Sequence, residues 1–435
     1  TAHSLASLRR ELSTKPYQIG FDTTNLNDGA SMLSILGREA PWKSVLEAIA
    51  ALGAATQCRG AEIEHALPTD NEECAKERAI ELLSGILCVA QLQYLSLRWL
   101  PCPPKAWEAF SSCRPSLSIQ VLELERCKLK GADLQHVCTF ITRQPNLESL
   151  SLAHNPIGVD GALAVLGALQ SSGARLAELS LAACSLSKFK DSDAAQWMAQ
   201  IVGGDGADAP PLFADLLELN LSSNRLQAAG VAAFQPLIRQ ATHLQSLNLR
   251  SNAIGLAGVD ALSGILSSLG ALQQLDIGGN QLPAAACTAL AEALPSELHS
   301  LDISNNPLTS NGLQALSCGS WVGGSLWKLD LSRCKLCYIG MEALSTALEG
   351  CTSLTHLNLA DNKIQDTGCG TIGKQLESVG SLELLDLTAC SLSDSSEGTL
   401  SNLCTACNKL IKLRLAANKL SASVEQRIQL LIQER

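Results

Sequence analysis

The sequence predicts an α/β fold: a curved solenoid, or horseshoe, with a parallel β-sheet on its concave side and helices on its convex side. Three observations predict it. Marker leucines recur about every 28 residues through most of the 435-residue chain. Each copy joins a short segment of alternating leucines to a longer Ala/Leu-rich segment, so strand and helix periods alternate. Hydrophobic residues make up 46% of the chain but aromatic residues only 3%, a composition suited to thin repeated layers rather than one large core.

The period is carried by a motif, L-x-x-L-x-L-x-x-(N/C)-x-(L/I), usually followed by Gly and a helix-like stretch. LESLSLAHNPIGVDG from Leu147, LQSLNLRSNAIGLAG from Leu244 and LTHLNLADNKIQDTG from Leu354 are clear copies. The leucine opening the L-x-L strand falls at Leu95, Leu122, Leu150, Leu179, Leu219, Leu247, Leu275, Leu301, Leu329, Leu357, Leu385 and Leu413. Two degenerate copies precede these, IGFDTTNLNDGA from Ile19, with Thr24 in the Asn/Cys slot, and AEIEHALP around Ile63.

Each motif position has a physical reason. Strand side chains alternate faces, so both leucines of L-x-L point inward. The Asn or Cys that follows turns inward where the strand ends, and Asn can bond the free backbone groups of the turn. That column reads Cys127, Asn155, Cys184, Asn224, Asn252, Asn280, Asn306, Cys334, Asn362, Cys390 and Asn418. The glycine column (Gly131, Gly161, Gly230, Gly258, Gly312, Gly340, Gly368) is expected to let the backbone swing into the helix.

Three regions follow. Residues 1–90 form an N-terminal capping region with degenerate repeats, including helix-like runs from Ser4, Trp42 and Ala75 and a polar loop from Leu67. Residues 91–420 are regular repeats, interrupted after Leu179 by a helix (DSDAAQWMAQIV) and an acidic insertion at 203–211. Residues 421–435 are a C-terminal capping helix with Val424, Ile428 and Leu431 on one side.

These residues resemble the ribonuclease-inhibitor-like branch of leucine-rich-repeat proteins, which includes ribonuclease inhibitor, the Ran GTPase-activating proteins and the repeat domains of NOD-like receptors. The resemblance covers roughly residues 90–420 and implies the horseshoe fold and the binding of macromolecules. It is poor in functional detail, because the motif residues are structural. The partial N/C alternation is broken by four successive asparagines, Asn224 to Asn306. The acidic tail of the Ran-activating relatives is missing, and only Arg98 and Arg126 could be offered for such a role.

Composition excludes several classes. A formal net charge of −10 opposes binding to nucleic acid, and no apolar run reaches the length of a membrane span. The 17 cysteines fall often at the inward column and read as thiols of a reducing compartment, cytoplasmic or within an organelle. The chain begins at Thr1 without a secretory-type segment, which fits a fragment or a form freed of a transit peptide. The sequon at Asn220 lies in a predicted strand.

Motifs that suggest chemistry fall short. GCGTIGKQ (368–375) nearly matches a phosphate-binding loop, but Gln375 cannot supply the magnesium-binding hydroxyl. Two C-x-x-C pairs, Cys334/Cys337 and Cys404/Cys407, lack further ligands at zinc-site spacing. The seven histidines are scattered over separate repeats, with His154 and His356 expected on the concave side. No cofactor, metal or catalytic residue is assigned.

Two surface features remain. The column between the strand leucines becomes Asn/Asp from Asp276 through Asp302, Asp330 and Asn358 to Asp386, a strip suited to a basic protein partner. Tyr94, Arg98, Trp99, Glu125 and Arg126 form an aromatic and charged patch, the residue types that dominate binding hot spots. Trp107, Trp321 and Trp327 are expected on the convex or loop sides. The sequence therefore reads as a non-catalytic interaction scaffold or complex subunit that binds protein. The alternatives are a regulator of an enzyme and a sensing domain of a larger receptor.

Overall fold

The computed structural model describes residues 18–22, 31–36, 58–64, 72–87, 92–100, 103–113, 118–187, 213–319, 321, 325–349 and 351–433. The helices expected from Ser4, from Trp42 and at 191–202, the Thr24 slot and the insertion at 203–211 lie outside them. The chain divides into two compact units, Thr1–Lys188 with Gln196–Leu216, and Phe189–Ala195 with Leu217–Arg435.

In the first unit, β1 (Gln18–Asp22) pairs antiparallel with β2 (Ser31–Leu36). The segment from Ile19 is thus one arm of an antiparallel pair, not the repeat that its motif suggests. Parallel stacking begins at β2 and continues through β3 (Cys58–Glu64), β4 (Tyr94–Arg98), β5 (Val121–Glu125), β6 (Ser149–Ser151) and β7 (Glu178–Ser180). The degenerate strand around Ile63 is β3. The helices are α1 (Glu72–Ile86), α2 (Pro104–Ser112), α3 (Gly131–Ile141) and α4 (Gly158–Ser172).

In the second unit, β8 (Glu218–Asn220), β9 (Ser246–Asn248), β10 (Gln274–Asp276), β11 (Ser300–Asp302), β12 (Lys328–Asp330), β13 (His356–Asn358), β14 (Leu384–Asp386) and β15 (Lys412–Arg414) run parallel in sequence order. Between them lie α5 (Gln227–Gln240), α6 (Gly255–Leu266), α7 (Ala286–Ala293), α8 (Thr309–Leu316), α9 (Tyr338–Ala347), α10 (Gln365–Leu376) and α11 (Glu397–Ala406). The helix α12 (Ala422–Gln433) follows β15, with Val424 and Ile428 buried.

The marker leucines are directly paired. Leu95, Leu122, Leu150 and Leu179 stand in register in the first unit. Leu219 through Leu413 do so in the second. All are buried with their L-x-L partners, and burial at about 25 cal/mol per Å² of apolar area drives the stacking. The resulting architecture is the α/β leucine-rich-repeat solenoid.

The asparagine column closes each turn. Asn252 Oδ1 accepts the backbone N–H groups of Asn224 (3.0 Å) and Leu226 (3.4 Å), while its Nδ2 donates to the carbonyls of Leu221 and Leu249, both at 2.9 Å. Asn362 repeats the arrangement on Cys334, Leu336, Leu331 and Leu359. A cysteine in the slot keeps only the donor half: Cys390 Sγ reaches the Leu359 carbonyl at 3.3 Å. The ladder therefore runs from side chain to neighbouring backbone, rather than from one asparagine side chain to the next.

The glycine column works differently from expectation. Gly161, Gly258, Gly312, Gly340 and Gly368 lie inside helices, and of the column only Gly131 has a positive φ, +48°. A Cβ on Gly312 would sit 2.9 Å from Ala284 Cα, and one on Gly368 would sit 3.0 Å from Tyr338 Cα, both backbone atoms of the preceding repeat. These glycines let neighbouring repeats approach closely; they do not bend the chain. Bending falls instead on the residue just before the Asn/Cys slot. Trp99, Arg126, His154, Ala183, Ser223, Ser251, Asn305, Arg333, Asp361, Ala389 and Ala417 all have φ between +52° and +60°. Within each unit, N–H groups at this position donate to the next repeat, as Ser223 does to Arg250 (2.8 Å) and Arg333 to Ala360 (2.9 Å).

Candidate functional site

The residues of the aromatic and charged patch separate into two groups. Tyr94, Arg98 and Glu125 sit on β4 and β5, and with Glu62 of β3 and Glu123 of β5 they form a network in the sheet. Arg98 Nη2 is 2.6 Å from Glu123 Oε2, Nη1 is 3.3 Å from Glu62 Oε1, and Nε is 3.6 Å from Glu125 Oε2. Ser96 Oγ donates to Glu123 at 2.8 Å and Tyr94 Oη reaches the same oxygen at 3.4 Å. Glu123 is 1% exposed and Glu62 6%. Burial, then Glu123, pushes the Tyr94 phenol up. Burial works against the Arg98 charge, but Glu123, Tyr94, Glu125 and Glu62 together raise its pKa. The column expected to face solvent is thus covered here, because Arg98 folds over it. Its guanidinium faces three carboxylates of the same sheet.

Trp99 and Arg126 form the second group, and His154 joins them. All three occupy the positive-φ position of successive repeats, so the strand spacing of about 4.8 Å stacks their side chains. Arg126 Cζ lies 4.3 Å from the centre of the Trp99 ring, a cation–π contact worth about 0.5–1 kcal/mol at an exposed site. Arg126 Nη2 is 3.2 Å from His154 Nε2. Burial, then Arg126, lowers the His154 pKa, so the neutral ring accepts from the guanidinium. Trp99 is 43% exposed. The shared template position, 28 residues after Arg126, is the signal that could have added His154 to the patch.

Asp276, Asp302, Asp330 and Asp386 align on adjoining strands of the second unit. Each Oδ1 accepts the backbone N–H two residues on, from Gly278, Ser304, Ser332 and Thr388, at 2.9–3.0 Å. Asn220, Asn248 and Asn358 do the same. The column is Asn/Asp because it caps the end of each strand. Cations also reach the strip. Arg250 Nη1 is 2.8 Å from Asp302 and 3.4 Å from Asp276, Asn358 Nδ2 donates to Asp330 at 2.8 Å, and Arg414 Nη1 is 2.9 Å from Asp386. Burial, then Asp302, raises the Asp276 pKa. Burial also works upward on Asp386, but bonds from Thr388 and Arg414 bring it net below the ordinary value.

The other candidates resolve as packing. Residues 368–375 are part of α10, not a loop. Cys334 is buried, and Cys337 begins the turn into α9, 3.1 Å from Ser310 Oγ. Cys407 Sγ donates to the Leu376 carbonyl at 3.2 Å. Trp107 packs on Phe110 (5.5 Å between ring centres), and Trp321 Nε1 donates to the Leu316 carbonyl at 2.8 Å. Trp107 lies on a helix and Trp321 in a turn, both buried, whereas Trp327 is exposed and edge-on to His356. Among the described residues no three His, Cys, Asp or Glu side chains gather to hold a metal, and no helix is long and apolar enough to cross a membrane.

The model of the family "Leucine Rich repeat" matches residues 143–166, 214–234, 240–263, 297–317 and 350–373. Ribonuclease inhibitor of Sus scrofa is 29% identical over 133 residues, 30% of this chain and 26% of that protein. The chain thus carries leucine-rich repeats, and they are similar to those of the ribonuclease-inhibitor-like type. "NACHT, LRR and PYD domains-containing protein 5" of Homo sapiens is 38% identical to the repeat protein over 72 residues, 17% of this chain and 6% of that one. The matches thus span well under two thirds of either relative. A chain in the structure of the Rad7 and Elc1 complex in yeast superimposes with a TM-score of 0.52 at 17% identity, covering 88% of this chain and 86% of that one. That likeness concerns the fold.

Proposed function

We propose that this repeat protein is a non-catalytic interaction scaffold, held as a subunit of a larger protein complex. The observation that carries the reading is the exposed Trp99–Arg126–His154 stack. The repeat does not require those side chains, and a Trp beside an Arg is the composition of a binding hot spot. The other residues that could do chemistry are absorbed by the repeat itself. Asparagines and cysteines close turns, and aspartates cap strands. Affinity purification from the native source, with mass spectrometry and size-exclusion chromatography, tests this. One protein is expected to co-elute in fixed ratio. Elution of the chain alone, as a monomer at near-physiological salt, overturns the stable-subunit reading.

A second reading, regulation of an enzyme, draws on the likeness to ribonuclease inhibitor. A basic enzyme as the co-eluting partner would favour it, with the aspartate strip as its contact.

A further inference from the structure

We propose that the edge of the first unit formed by Trp99, Arg126, Lys128, Lys130 and His154 docks an acidic peptide segment of a partner protein. This rests on the interaction-scaffold reading and goes further by naming the partner's chemistry and its seat.

Geometry brings these residues together. Trp99, Arg126 and His154 occupy one backbone position in three successive repeats. Lys128 and Lys130 flank the inward Leu129 in the turn that follows β5, so both side chains leave the core and are exposed. Among the described residues of this unit, Trp99 is the large apolar side chain left exposed.

The charge is only partly compensated locally: Asp133, in the first turn of α3, acts on Lys130, and Glu125 acts on His154. Arg126 makes its side-chain hydrogen bond to His154, not to a carboxylate. Lys128 and Lys130 form no ion pair with a described residue. Glu125, the strand residue just before Arg126, is turned to Arg98 and to the hydroxyl of Ser151 (2.6 Å). Three cations thus fall within residues 126–130, and the first of them lies over an exposed indole, in a chain of net charge −10. The Arg126 guanidinium lies over the indole, and an arginine fork is the group that receives a carboxylate. An apolar side chain next to that carboxylate would cover Trp99.

A polyanionic nucleic acid fits worse. It would extend past the three cations onto strands that carry Glu62, Glu64, Glu123 and Glu125, whereas a short peptide touches only the edge.

The test is fluorescence anisotropy on the full chain at low salt. The probes are a labelled peptide of Glu-Glu-Leu repeats, its Lys-Lys-Leu counterpart and a labelled oligo-dT. The acidic peptide is expected to bind, more weakly as salt rises. Arg126→Glu, and separately Lys128→Glu with Lys130→Glu, should each weaken it about tenfold or more. Trp99→Ala should weaken it several-fold. If Arg126→Glu lowers the melting temperature, the exposed lysine pair carries the comparison. Absence of acidic-peptide binding, equal binding by the charge-reversed variants, or tighter binding of oligo-dT overturns the proposal. These failures leave the scaffold reading standing, since a partner that still co-elutes with Arg126→Glu must dock elsewhere.

Discussion

Arg98 Nη2 lies 2.6 Å from Glu123 Oε2, across two adjacent strands of the first unit. The same guanidinium faces Glu62 and Glu125. A buried carboxylate is costly unless paired, so Arg98 is a keystone of these strands. Arg98→Met is expected to destabilise the first unit by about 3–5 kcal/mol, because Glu62 and Glu123 keep their charges and lose the cation. Urea unfolding followed by far-UV circular dichroism should show an earlier first transition. Arg98→Lys should recover only part of the loss, since a single ammonium cannot face three carboxylates at once.

Asn252 satisfies two backbone donors and two backbone acceptors in a buried turn. Asn252→Ala should cost about 2–4 kcal/mol, from several backbone groups each left without a partner. Asn252→Cys keeps a weak donor for the Leu221 carbonyl, as Cys390 does for Leu359, and is expected to lose less. Thermal melts of the two variants beside the parent give the order, and the reverse order would contradict the role assigned to the column.

Burial pushes the thiols of Cys127, Cys334 and Cys390 up to about 12 from an ordinary value of 9.0. A pKa raised on folding contributes stability that is complete below about pH 9 and is lost as pH climbs toward 12. The melting temperature should therefore fall across that window, and less steeply in Cys390→Asn. At pH 8 these thiols should resist iodoacetamide in the folded protein. Cys318, which is exposed, and Cys337, whose pKa the Ser310 hydroxyl lowers, should be alkylated first. Peptide mapping after a short pulse checks the order.

Gly312 and Gly370 lie on helices but in opposite surroundings. A methyl on Gly312 meets the Ala284 backbone, while one on Gly370 meets nothing within 4 Å. Gly312→Ala should cost about 1–3 kcal/mol through forced separation of repeats. Gly370→Ala should stabilise by up to about 1 kcal/mol, through helix propensity. Equal effects in thermal melts would remove the close-approach explanation of the glycine column.

How much was readable follows from which interactions are periodic. The marker leucines, the Asn/Cys slot and the parallel order recur every repeat, so one chain displays them many times over. Among the described residues the antiparallel β1–β2 pair happens once, and the start of its strand, from Ile19, mimics the motif closely enough to mislead. The glycine column was visible too, but its reason was not. Spacing shows that a side chain is absent, not whether a backbone bend or a neighbouring Cα excludes it.

For the candidate site, the residue types of the patch were legible and their fates were not. The sequence alone determined that Tyr94, Arg98, Trp99, Glu125 and Arg126 lie near one another, because the repeat places equal positions side by side. Only the tertiary structure decided that Arg98 is consumed by three glutamates while Arg126 stays outside with Trp99 and His154. The physical reason is the backbone at the strand end. Arg98 is the last residue of an extended strand and lies over the sheet, whereas the positive φ of Arg126 (+55°) turns its side chain off that face. The same holds for the aspartate strip. Its composition is in the sequence, but the capping bonds and the arginines that temper its charge exist only once the strands are stacked.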